Sequence, residues 1–143
     1  MDFGTDDQLV EQIFQVHQSE RAYIVQQLKE ANLNLIQART LIYIGSNPGL
    51  IQKKLADNLG KQGATTTNIL KVLESRDLII RKIQENNERQ KQLYLTPSGQ
   101  DLAAQVRQVF IALEHQANAG LNAAEQTTLM TLLQRVQSNI DAD

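Results

Sequence analysis

"QKKLADNLGKQGATTTNIL", residues 52–70, decides the fold. Thr66, Ile69, Leu70 and, just beyond the quoted stretch, Leu73 recur at i, i+3, i+4 and i+7, which is the buried stripe of an α-helix. Three consecutive threonines are β-branched and poor helix formers, but the period overrules them. The opposite side of that helix presents Ala64, Asn68 and Lys71, flanked by Thr65 and Thr67. Residues 50–59, "LIQKKLADNL", read as a short helix before it, with Leu50, Ile51, Leu55, Ala56 and Leu59 inward. Ala56 stands where the two helices must touch, and Gly60 can take the positive φ that the turn between them needs. Two short helices joined by a turn, the second exposing small polar groups, fit a helix-turn-helix.

The flanking segments extend this unit. Residues 6–30 place Leu9, Val10, Ile13, Phe14, Val16, Ile24, Val25 and Leu28 at mostly helical spacings, so they read as one long amphipathic helix. Asn34 is an N-cap for a second helix, which Asn47-Pro48-Gly49 stops. After the helix-turn-helix, "LIIRKIQ" and "QLYLT" are strand-like, joined by a polar tip containing Asn86-Asn87. Such a hairpin is marginal alone and must pack on helices. "TPSG" starts a helix near residue 98, Gly120 ends it, and Asn122 with Glu125 forms the capping box of the last helix. The expected fold is mainly α with a small β-hairpin.

The chain has 143 residues, enough for one domain with a core, and only 4% aromatics, so that core is aliphatic. It has no cysteine, which excludes disulfides, thiolate metal sites and thiol nucleophiles. Two histidines, His17 and His115, show no metal-ligand spacing, even with Glu20 and Glu114 nearby. The expectation is no metal and no cofactor. No nucleophile-base pair or phosphate-cradling glycine loop is visible, so no enzyme is expected. No apolar run is long enough for a membrane span, and the acidic start does not resemble a secretory signal, so the expected compartment is the cytoplasm.

Net charge is −2, which by itself argues against an anionic partner. The distribution argues the other way. Residues 49–100 carry nine positive and five negative side chains, while the rest of the chain is strongly acidic.

The run "LADNLGKQGATTTNILKVLESRDLIIRKIQENNERQKQLYLTPSGQDL", with "LNAAEQTTLMTLLQRV" after it, resembles the MarR family of winged helix-turn-helix transcriptional regulators. The most specific pieces are "LESRDLIIR" leaving the recognition helix, Asn87-Glu88-Arg89 at the wing tip, and "LTPSG" leaving the wing. The resemblance covers the whole chain. It implies one MarR-type domain over residues 1–143, with a DNA-binding lobe at 34–100 and dimerisation helices at 6–30 and 101–140. It also implies an obligate homodimer and a small-molecule effector pocket between the dimer helices and the lobe. Three positions depart from the family pattern. Asn87 stands where Asp is usual, Asp77 where a small residue is common, and Gln62 where Ser, Thr or Asp often caps the recognition helix.

Under this reading Lys53, Lys54, Lys61 and Lys71 neutralise phosphates of double-stranded DNA, positioning the protein without reading sequence. Asn68 has the geometry to pair with an adenine edge. Thr65 and Thr67 can meet thymine methyls or phosphates, Gln62 and Gly63 lie at the helix start nearest the groove, and Arg89 reaches a narrow minor groove. Arg21, Tyr23, Tyr43 and His17 are candidate effector liners, with His115 a further polar candidate. The competing reading is a winged-helix protein-interaction or assembly module whose basic patch is incidental. Overall acidity is its best support.

Overall fold

Gly60 and Asp77 both adopt left-handed backbone, with φ of 64° and 57°, and between them they bound the second helix of the helix-turn-helix. Glycine does this at no steric cost. Asp77 does it as one of the few side chains that tolerate the conformation. The computed structural model describes residues 8–84 and 87–142, with backbone alone for residues 84 and 87–89. Asp6 and Asp7, expected in the first helix, lie outside the described residues, as does Asn86 of the hairpin tip.

The elements run α1 (Leu9–Leu28), α2 (Leu35–Ser46), β1 (Leu50–Ile51), α3 (Gln52–Leu59), α4 (Gly63–Ser75), β2 (Ile79–Gln84), β3 (Asn87–Leu95), α5 (Pro97–Ala117) and α6 (Ala123–Asp141). Asn34 caps α2 reciprocally: its Oδ1 accepts from the Gln37 N–H at 2.8 Å, and Gln37 Oε1 accepts from the Asn34 N–H at 3.0 Å. Asn122 and Glu125 cap α6 in the same way. Gln62 makes no capping bond to α4, as the sequence suggests.

Two expectations need correction. Leu50 and Ile51 are not the first turn of a helix but a strand, β1, pairing antiparallel with Leu93 and Gln92 of β3. The sheet therefore has three strands in the order β1-β3-β2. Gly49, at φ 86°, lets its N–H reach the Leu93 carbonyl at 2.9 Å, so the chain is already laid along β3 before Leu50. A helical period and a short β-branched run are indistinguishable over two residues, and the free edge of β3 settles the matter. The second correction concerns β3, which begins at Asn87 and not at Gln92. The regular ladder to β2 runs from Ile79 opposite Leu95 to Ile83 opposite Lys91, and across a register shift after Ile83 the pair Gln84–Asn87 ties the polar first half to β2 through the backbone. Asn87, Glu88 and Arg89 thus stand on a strand and not in the loop.

Residues Met1–Phe110 and Ile111–Asp143 form two compact units, with α5 running through the boundary. The first holds the core. Leu28 of α1, Leu41 and Ile44 of α2, Leu55 of α3, Leu70 and Leu73 of α4, Leu93 of β3 and Val106 of α5 are all essentially inaccessible. The whole expected stripe of α4, Thr66 included, is buried. In the second unit α6 has no buried residue.

"LTPSG" is a joint. Thr96 Oγ1 accepts from the Gly99 N–H at 3.0 Å and donates to the Asp77 carbonyl at 2.6 Å, so one hydroxyl caps α5 and ties it to the end of the recognition helix. Pro97, the first residue of α5, has no N–H to leave unsatisfied. Any Cβ on Gly99 would collide with the Leu78 carbonyl oxygen, so the close approach requires glycine.

Candidate nucleic-acid interface

The buried stripe of α4 fixes which side chains face outward. Gln62, Gly63, Ala64, Thr65, Asn68 and Lys71 are exposed, and Thr67 is half-buried. Lys53 and Lys54 in the first turn of α3 and Lys61 in the turn are exposed as well. Among the described residues none of these four lysines forms an ion pair. Unpaired cations beside an exposed, short-chained polar face can meet phosphates without first breaking an internal contact. Among the described residues nothing lies within 4 Å of where a Cβ on Gly63 would stand.

Both ends of α4 are held from outside. Gln52, the first residue of α3, donates from Nε2 to Thr67 Oγ1 at 2.7 Å, and Thr67 Oγ1 donates to the Gly63 carbonyl at 2.9 Å. At the other end Arg76 donates from Nη1 to the Asn32 carbonyl at 2.8 Å and from Nη2 to the Ala31 carbonyl at 3.0 Å, tying α4 to the corner between α1 and α2. Glu74 Oε2 lies 2.8 Å from Arg81 Nε on β2. That N–H is not aimed at the carboxylate, so the contact is a charge pair and not an aligned hydrogen bond. Gln52, Arg76 and this pair escape a sequence reading. The partners of Gln52 and Arg76 are 15 and 44 or 45 residues away, spacings that no local period encodes, and Glu74 and Arg81, 7 apart, stand on a helix and a strand, so no single period relates them.

Of the remaining expected residues, Arg89 is on β3 and its side chain lies outside the described residues, as does that of Asn87. Arg21 and His17 on α1 are exposed, and Tyr23 and Tyr43 are half-buried. They do not line the cavity of about 200 Å³ that lies between α2, β3 and α5. Its walls include Ile44, Gly45, Tyr94, Leu95 and Ala103, with Gln100 and Arg107 supplying polar groups. His115 is exposed on α5. Among the described residues no three His, Asp or Glu side chains cluster as metal ligands, and no helix is long and apolar enough to cross a membrane.

A helix-turn-helix followed by a wing, with an exposed polar face beside four lysines that form no ion pair among the described residues, defines a protein of the winged-helix class. Residues 31–90 match the MarR family. The chain is 31% identical over 117 residues to the uncharacterized HTH-type transcriptional regulator YybA of Bacillus subtilis, covering 82% of this chain and 78% of YybA. It is 31% identical over 93 residues to a transcriptional regulatory protein for the hcr operon of Thauera aromatica, and spans 56% of that protein. The fold superposes with a TM-score of 0.78 on a MarR family transcriptional regulator from Listeria monocytogenes solved with a 26mer DNA, at 30% identity over 94% of this chain and 89% of that one. The chain belongs to the MarR family. It is a transcriptional regulator of the winged-helix type and not an enzyme.

Proposed function

We propose that this protein is a homodimeric, sequence-specific DNA-binding regulator that acts in the cytoplasm as a repressor on pseudo-palindromic operators and is released by a small-molecule effector. The observation that carries the reading is the outward face of α4, where Gln62, Gly63, Thr65 and Asn68 stand exposed beside unpaired Lys53, Lys54, Lys61 and Lys71. The lysines supply position and affinity, and Asn68 and Thr65 supply base readout. Arg89 extends the contact into the minor groove. The DNA-bound complex of the Listeria relative supports the same use of the fold.

Dimerisation is supported by α6, where Leu129, Leu132, Leu133 and Ile140 are 41–73% exposed on one apolar stripe. In this reading residues 34–100 form the DNA-binding lobe, and residues 6–30 and 101–140 join the two copies. Two-fold symmetry of the protein then demands two-fold symmetry of the operator, with half-sites about one helical turn apart. An effector acts by binding the DNA-fitting and non-fitting shapes with different affinity. Arg21, Tyr23, Tyr43 and His17 are candidate contacts, and the cavity beside Arg107 is a second place for it.

Selection of bound duplexes from a random DNA pool tests the reading. A symmetric motif, bound with an affinity that falls steeply as salt rises, is the expected result. Enrichment of no sequence, with salt-independent binding to a protein partner, would establish an assembly module instead.

A further inference from the structure

Thr67 sits on the helix expected to read DNA, yet its hydroxyl is already committed. A threonine hydroxyl has one proton, and here it goes to the Gly63 carbonyl at 2.9 Å. One of its acceptor positions is taken by Gln52 Nε2 at 2.7 Å. Phosphate oxygens, guanine O6 and N7 and thymine O4 are all acceptors, so Thr67 has no proton to offer any of them. Thr65, one position off the buried stripe, is exposed, and its hydroxyl has no hydrogen-bond partner among the described residues.

The local structure gives that bond a task. Gln62 does not cap α4, so the start of the helix is not pinned at its cap. The turn before it is closed by backbone bonds from the Gly60 N–H to the Asp57 carbonyl at 3.3 Å and from the Lys61 N–H to the Ala56 carbonyl at 3.2 Å, but both partners belong to α3 and neither reaches α4. Gln52 is anchored by the junction of β1 and α3, and it grips α4 one turn in, at a part-buried site. Helices α3 and α4 are packed together, Leu55 and Leu59 of α3 and Leu70 of α4 are buried, and the Gln52–Thr67 bond adds a directional tie between the two helices. Packing tolerates small rotations, whereas a 2.7 Å hydrogen bond does not.

We infer that Gln52 and Thr67 form a strut that fixes the pitch of the recognition helix in the groove, so that both are positioning residues for sequence discrimination and the Thr67 hydroxyl is not a donor to DNA. This rests on the DNA-binding reading above.

The test is a double-mutant cycle on the full chain with Gln52→Leu, Thr67→Val and the pair, with Thr67→Ser as the variant that keeps the hydroxyl. The probes are a duplex selected by the wild-type protein from a random pool and an unrelated duplex of equal length. Each single change is expected to weaken the selected duplex about 5- to 10-fold, the worth of one hydrogen bond. The pair should lose no more than either alone, Thr67→Ser should bind like wild type, and affinity for the unrelated duplex and its salt slope should not move.

Additive losses would overturn the inference. So would a salt slope reduced by about one unit, which marks a phosphate contact. Thr67→Ser as weak as Thr67→Val would show that the methyl is what counts, and an equal loss on both duplexes with a lowered unfolding midpoint would show a merely structural role. If the wild-type chain selects no duplex, the DNA-binding reading fails and the inference with it. If it does select one, the cycle judges the inference alone.

Discussion

Helices α4 and α6 carry apolar stripes of the same period but meet opposite fates. In α4 the positions Thr66, Ile69, Leu70 and Leu73 are all buried, although the helix has no side-chain cap and three consecutive threonines. In α6 Leu129, Met130, Leu132 and Ile140 remain 47–73% exposed, although the helix has a full capping box. The helix with the weaker local signals is held by its tertiary neighbours, α3 on one side and β2 on the other. The one with the stronger local signals has no buried residue, and of its stripe only Val136 is half-buried among the described residues. Periodicity specifies a face, and what covers that face is a separate question. In the proposed function the cover for α6 is a second copy, and burying four or five such side chains per chain is worth on the order of 10 kcal/mol before ordering costs.

The contrast can be broken most severely on α6. Leu132→Glu with Leu133→Glu should weaken self-association by about three orders of magnitude or more, since carboxylates would be buried without partners. Sedimentation velocity should then show a monomer, and far-UV circular dichroism should show the helices of the first unit intact. A dimer of unchanged affinity would mean that α6 is not its seam. In α4, Leu70→Ala removes a fully buried side chain and should cost about 2–5 kcal/mol of unfolding free energy in urea, independent of protein concentration. Leu129→Ala should instead show a loss that grows as the protein is diluted.

The shared capping device sharpens the same contrast more gently. Asn34→Ala and Asn122→Ala each remove a reciprocal cap worth about 1 kcal/mol. The first should lower the unfolding midpoint at every concentration, and the second only where unfolding is coupled to dissociation. The smallest expected effect is electrostatic. Lys54→Gln should leave stability within about 0.5 kcal/mol and lower the slope of log K against log salt by about 0.9 in a binding titration. An unchanged slope would place Lys54 off the phosphates.

Local chemistry made much of this legible in advance. The stripe of α4, the left-handed turns at Gly60 and Asp77, the caps at Asn34 and Asn122 and the uncapped Gln62 follow from properties of single residues or of neighbours three or four apart. The exposed set Gln62, Gly63, Thr65, Asn68 and Lys71 follows by subtraction, as the side of α4 away from its stripe. Strand β1 was not legible, because Leu50-Ile51 satisfies helix and strand patterns alike and the edge of β3 lies some 40 residues downstream.

What the sequence by itself determined is the periodic and the local: which segments are helical, where they start and turn, and which side of each is apolar or charged. Tertiary structure alone decided the pairings between distant residues. Arg76 closes on the carbonyls of Ala31 and Asn32, Thr96 on that of Asp77, and Gln52 on the hydroxyl of Thr67. These bonds are directional, and their partners meet only once packing has fixed the distances. That is why Thr67, an expected DNA contact in the sequence, carries in the fold the bond proposed above as a strut.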